Sequence, residues 1–123
     1  MKIIGIDPSL RNFGIVRATL DVNSLTFKVD GMRLVESEDN AAKQKTVRKN
    51  SDDLRRAKLL YDGMMEECKG AQFAFVEVPV GSQSARAMAS YGICVGVLSA
   101  CPIPIIQVTP SEVKLAGTGY KTA

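Results

Sequence analysis

Apolar residues change their spacing several times along this chain, and each change marks an element. Ile3, Ile4 and Ile6 form a short apolar run that stops at Asp7-Pro8, the pattern of a buried strand closed by a turn. Residues 12–20 and 25–35 alternate between apolar and polar, which predicts a second and a third strand joined through Asp21-Val22-Asn23-Ser24. The opening third is therefore expected to be a three-stranded antiparallel meander. Residues 36–50 are polar and charged and carry no period, as a surface connection would.

The period then becomes helical. Asn50 or Ser51 is placed to cap a helix, and Asp52 and Asp53 fall in its first turn, where negative charge complements the helix dipole. Leu54, Ala57, Tyr61, Met64, Met65 and Cys68 recur at helical spacing and predict one core-facing stripe, with Lys69-Gly70 as the stop. Phe73-Ala74-Phe75-Val76-Glu77-Val78-Pro79 reads as a central strand, apolar on both faces as helix-covered strands are. A second helix is expected over 85–100. Its small residues Ala85, Ala89, Gly92, Gly96 and Ala100 make a smooth stripe that suits either packing on the sheet or a dimer interface.

Pro102-Ile103-Pro104 ends that helix, and Ile105-Ile106-Gln107-Val108 predicts a fifth strand. Thr109-Pro110-Ser111-Glu112 fits a capping box for a last, short helix before Gly117-Thr118-Gly119. Helical crossovers after the third and fourth strands imply that the fourth and fifth run parallel to the first. The expected class is α/β, a five-stranded mixed sheet of three antiparallel strands followed by two parallel ones, flanked by helices.

Composition narrows the chemistry. With 123 residues, 46% hydrophobic and 24% charged, the chain suits one globular domain with one core. No apolar run reaches the ~20 residues of a membrane span, and the first strand begins at once, so a cytoplasmic protein without membrane contact is expected. Cys68, Cys94 and Cys101 are odd in number and lack C-x-x-C spacing, which indicates buried free thiols rather than disulfides or a zinc site. There is no His, so catalysis has to rest on carboxylates, Lys, Ser or Cys. The net charge of +3 is mild, but Lys43, Lys45, Arg48, Lys49, Arg55, Arg56 and Lys58 crowd into one stretch, either a solvated helix face or a phosphate-binding patch.

Asp7 closes the first strand and Glu77 sits in the fourth, and strands joined by a right-handed crossover commonly lie side by side. Neighbouring strands are ~4.8 Å apart, so two such carboxylates could share a divalent cation and would repel each other without one. Hard oxygen donors suit magnesium or manganese. Each residue also has a plainer reading: Asp before Pro starts many turns, and a Glu in an apolar strand can pair with a Lys or Arg.

The segment Ile3-Ile4-Gly5-Ile6-Asp7-Pro8-Ser9-Leu10-Arg11-Asn12-Phe13-Gly14 resembles the opening motif of the RuvC-type Holliday junction resolvases of the ribonuclease H-like superfamily, matching at Asp7, Pro8, Arg11 and Gly14 and departing at Ser9, where a Gly is usual. Phe75-Val76-Glu77 resembles the second motif, and Gly92 and Gly96 resemble the paired glycines of the helix that follows. Ile106-Gln107-Val108-Thr109-Pro110, Val113-Lys114 and Gly117-Thr118-Gly119 resemble the stretch that leads to the third. The resemblance implies a ribonuclease H-like domain over 1–123, bacterial or phage-encoded, acting in DNA recombination and repair as a structure-selective endonuclease. The implied mechanism is in-line hydrolysis of phosphodiesters with two Mg2+ ions (Mn2+ as the alternative), held in part by Asp7 and Glu77, without a small-molecule cofactor. It also implies a homodimer on branched DNA, with Arg11, Ser82, Gln83, Arg86, Lys114, Lys121 and the basic stretch available to phosphates.

The departure from the family lies at the end of the chain. These resolvases complete the site with two acids on a C-terminal helix, whereas the only acid after Glu77 is Glu112. Two expectations follow: a domain truncated before its C-terminal helix, or a relative that binds DNA without cutting it. An actin-like ATPase fragment is a third possibility, since those proteins also open with a strand, an Asp and a Gly-bearing hairpin, but that fold needs a second such domain.

Overall fold

The computed structural model describes residues 1–38, 49–78 and 84–109. Among them the chain forms β1 (Lys2–Asp7), β2 (Asn12–Asp21), β3 (Thr26–Glu36), α1 (Lys49–Glu67), β4 (Phe73–Glu77), α2 (Ala85–Ser99) and β5 (Ile105–Val108). The strands make one sheet in the order β3-β2-β1-β4-β5, antiparallel through β1, β2 and β3 and parallel through β1, β4 and β5. This is the expected mixed sheet. The predicted capping box over 109–112 lies outside the described residues except for Thr109.

Side chains alternate across the sheet, and one set meets the helices. Ile4, Ile6, Phe13, Ile15, Val35, Ala74 and Val76 pack against Leu60, Met64 and Cys68 of the α1 segment and Cys94, Val97 and Leu98 of α2. Phe13, Ile4, Ile15, Leu60, Met64 and Val76 are the largest fully buried apolar side chains. Each stabilises the fold by about 1.5–3 kcal/mol relative to an exposed position.

Among the described residues the opposite face is open. Ile3, Val16, Phe73 and Phe75 are half-buried there, and Phe27, Val29, Met32, Leu34 and Ile106 are exposed. The sequence suggested that β4 is covered on both sides, but among the described residues both helices lie on one face.

The hairpin between β2 and β3 is closed by its own first residue. Asp21 Oδ1 accepts hydrogen bonds from the Asn23 and Ser24 amides at 2.9 and 3.2 Å, and the Leu25 amide donates to the Asp21 carbonyl at 2.8 Å. Those amides hold the Asp21 carboxyl below the usual carboxylate range. Leu25 adopts a left-handed φ of 57°, costly for a branched side chain, and it sits 78% exposed where nothing constrains its rotamer.

Helix α1 differs from its expected form at both its start and its face. It begins at Lys49, so Asn50 and Ser51 lie inside its first turn rather than capping it. The buried line runs Asp52, Arg56, Leu60, Gly63, Met64, with Cys68 just past the helix, while Leu54 is 73% and Tyr61 38% exposed. The helix is turned relative to its apolar stripe because Arg56 finds hydrogen-bond partners on Ser37, whereas Leu54 has no comparable partner there. Gly70, at φ +78°, ends the segment, with the Ala71 amide donating to the Cys68 carbonyl.

Gly63 marks the closest approach of α1 to the sheet. A Cβ at this position would lie 2.6 Å from Val35 Cγ2, a branched and buried side chain that cannot swing aside. Gly63→Ala therefore sets a clash of roughly 1–3 kcal/mol against about 1 kcal/mol of gained helix propensity. The expected result is a net loss of stability in urea titration; a more stable variant would show that the helix does not press on β3.

Candidate functional site

In the parallel pair of β1 and β4, Ile6 lies opposite Val76, so the next residue on each strand, Asp7 and Glu77, come side by side at the strand ends. The two-residue period turns both towards the open face, together with Gly5 and Phe75. Asp7 and Glu77 line one cleft of about 700 Å³, with Gly5, Gly14, Phe75 and Val108 among its walls. Gly14 stands opposite Asp7 in the antiparallel register, and a Cβ there would come no closer than 3.9 Å to Asp7. Glycines at 5 and 14 thus keep space beside the carboxylate.

Asp7 is exposed and Glu77 half-buried, and among the described residues neither has a hydrogen-bond or ion-pair partner. The plainer reading of Glu77, a Lys or Arg partner, is not what these residues form. Two adjacent, unpaired carboxylates in a half-open cleft are a donor set that fits a hard divalent cation. Among the described residues no group of three or more His, Cys, Asp or Glu comes together.

The turn that follows Asp7 is held from several sides. Ser9 Oγ accepts from the Asn12 amide and donates to the Asn12 carbonyl, both at 3.0 Å. The Ser37 amide donates to the Arg11 carbonyl at 3.0 Å, and Ser37 Oγ donates to the Leu10 carbonyl. Arg56 donates from Nε to Ser37 Oγ at 3.0 Å and from Nη2 to the Ser37 carbonyl at 2.9 Å, and both residues are buried. No pattern along the chain points to Ser37. Arg56 belongs to the basic stretch that reads as either a solvated helix face or a phosphate-binding patch, and its burial removes it from both.

The other basic candidates divide. Arg11 is exposed on the turn beside Asp7. Arg86 reaches back to α1 and holds Asp53 with two hydrogen bonds, at 2.9 and 2.6 Å. Arg55 binds Asp52 at 2.9 Å and the Glu38 carbonyl at 2.6 Å, and Lys58 is exposed. Ser82, Gln83, Lys114, Lys121 and the basic residues 43–48 lie outside the described residues.

No protein-family model matches the chain, and no curated protein matches it. Solved structures do. Thermus thermophilus RuvC in complex with a Holliday junction substrate aligns with a TM-score of 0.72 at 15% identity, over 94% of this chain and 70% of that one. A further structure of Thermus thermophilus RuvC aligns at 0.68 and 16%, over 100% and 72%. The fowlpox virus resolvase, in complex with its substrate Holliday junction DNA, aligns at 0.51 and 13%, over 90% and 62%. The fold is the ribonuclease H-like fold of the RuvC-type resolvases.

In this RuvC-like fold α2 starts from a Ser84 cap whose side chain accepts from the Ala87 amide. The small-residue stripe on α2 faces away from the sheet: Ala85, Ala89, Gly92 and Gly96 are exposed, and a Cβ on either glycine would meet nothing within 4 Å. Close packing on the sheet is therefore not what these residues serve. Among the described residues no helix of the RuvC-like domain is long and apolar enough to cross a membrane.

The three cysteines are free, and of the three expected to be buried Cys101 is only half-buried. Cys68 and Cys94 are buried, and burial pushes their thiols up to about 12 and about 11, with the neighbouring Cys101 thiol, 3.9 Å away, adding to the effect at Cys68. Unfolded thiols ionise first, near pH 9, so the contribution of these residues to stability is full below that pH and is lost as the pH rises towards 11 and 12. Thermal midpoints should fall over that alkaline range, and Cys68→Ser/Cys94→Ser should flatten the fall. An alkaline fall of unchanged size in the double variant would assign it to other groups.

Proposed function

We propose that this domain is the metal-binding core of a nuclease that hydrolyses phosphodiesters in branched DNA, with four-way junctions as its substrate class. The observation that carries the reading is the pair of unpartnered carboxylates, Asp7 and Glu77, at matched positions of adjacent parallel strands in one cleft. They would hold magnesium, or manganese, as part of a ligand set that the resemblance completes with two further acids. When bound, such cations supply an activated water and stabilise the leaving oxygen.

The residues of the chain itself account for the rest. Asp7 and Glu77 repel a phosphate until a cation neutralises them, which ties DNA engagement at the cleft to metal binding. Gly5 and Gly14 leave room for a phosphodiester beside Asp7. Arg11, exposed on the turn that follows Asp7, supplies a positive charge and affinity that falls with salt. A chain without His has no imidazole to serve as general base, so the work of activating water falls to carboxylates and what they bind.

Gel-shift titration of a four-way junction against linear duplex, followed by incubation in magnesium, tests the reading. Asp7→Asn should bind the junction at least as tightly as the parent and produce no nicks under conditions in which the parent does. Equal affinity for junction and duplex, or nicking that survives Asp7→Asn, overturns it. Junction binding with no nicking by any form that carries the remaining acids would assign the domain to the non-catalytic relatives.

The homodimer rests on α2. Its outward stripe of small residues lets a second helix approach closely, and pairing two domains gives one site for each of two strands. Gly92→Leu should leave the monomer fold intact, since its side chain enters open space, yet shift sedimentation from dimer to monomer. A parent that is monomeric, or a variant that remains dimeric, removes α2 as the interface.

A further inference from the structure

We infer that Arg56 and Ser37 are positioning residues that set the place of the Asp7–Asn12 turn, and with it the Arg11 guanidinium, for contact with DNA phosphate. The inference rests on the branched-DNA reading for its substrate but on the hydrogen bonds alone for its geometry. Arg56 is 5% exposed and directs two donors at a single residue, the hydroxyl and carbonyl of Ser37. Ser37, 2% exposed, passes the constraint on: its hydroxyl donates to the Leu10 carbonyl and its amide to the Arg11 carbonyl. A guanidinium on α1 is thereby linked, through one serine just past the end of β3, to the last two residues of the turn between β1 and β2.

Burying a guanidinium carries a desolvation cost, and an apolar side chain of similar volume often stabilises a core as well or better. Arg56 is therefore a poor choice if filling space were its whole purpose. What an apolar replacement could not do is hold the hydroxyl and carbonyl of Ser37, the residue that bonds the Leu10 and Arg11 carbonyls. Leu10 anchors the turn in the core from below at 4% exposure, and Ser9 closes it internally. Beside these anchors Arg11 has its carbonyl tied down by the Ser37 amide and its side chain in solvent. The direction in which Arg11 projects depends on the Ser37 bonds.

A double-mutant cycle tests the inference. Arg11→Ala should weaken junction binding about tenfold and lower the slope of log affinity against log salt by about one, the loss of one phosphate contact. Arg56→Met, which keeps the stem and removes the donors, should give a comparable loss and the same change in slope. Combining the two should cost no more than about twofold beyond either alone, because both remove one contact. Arg56→Lys, with one donor point in place of a fork, should recover only part of the affinity.

A structural role for Arg56 would instead give a lowered thermal midpoint, additive losses and an unchanged salt slope, and that result overturns the inference. Should the parent chain show no affinity for DNA, the substrate reading fails while the geometry is still decided by hydrogen exchange. In Arg56→Met the Ser37 and Asn12 amides should then exchange at least about tenfold faster while the amides of β1 and β4 keep their protection. Equal changes in both regions, or none in the turn, reject the positioning role on its own terms.

Discussion

The parallel register of β1 against β4 is the constraint on which this structure turns. Ile3, Ile4, Gly5 and Ile6 stand opposite Phe73, Ala74, Phe75 and Val76, and this pairing puts the two strand ends level. A slip of one residue would send Ile4, Ile6, Ala74 or Val76 to the open face and would separate Asp7 from Glu77. The same apolar side chains that lock the register into the helix-covered core thus bring two carboxylates together on the other side. Electrostatics opposes that meeting, and packing imposes it.

Much of this was legible in the sequence because it rests on period. The runs around Ile4 and Val76 have the length and composition of buried strands, and their acidic ends follow directly. The open face was less legible, since Phe75 and Ile106 look the same in a sequence whether or not a further layer lies over them. On α1, Leu54 and Tyr61 depart from the apolar stripe for a different reason. Apolar periodicity assumes that apolar side chains choose which way a helix faces, whereas here hydrogen bonds to Ser37, distant in sequence, draw Arg56 inward.

The candidate site shows the same division. Asp7 and Glu77 could be found from strand ends and residue type. Ser37 could not: an isolated serine just past a strand carries no pattern, and its importance comes from a turn twenty-seven residues earlier and a helix nineteen residues later. Arg86 and Arg56 looked alike as basic residues, yet one forms a two-pronged bridge between the starts of two helices and the other disappears beneath a turn. Charge along a sequence shows how much is present but not where it is spent.

The break in register on β3 has a consequence for how these molecules behave in a crowd. Arg17 faces Gly31 while Ala18 faces Val29, so Asp30 is an extra residue in the outer strand, and its carboxylate turns inward to Thr19 at 2.6 Å and Lys2 at 3.3 Å. Strand β3 is eleven residues long, stands at the sheet margin and carries exposed Phe27, Val29, Met32 and Leu34. Left straight, it would offer another molecule a ready template for growing a continuous ribbon from one sheet to the next. The additional residue bends the margin at its midpoint and interrupts its ladder of donors and acceptors. In a chain that exposes so much apolar strand, such a bulge works against growth along its own edge.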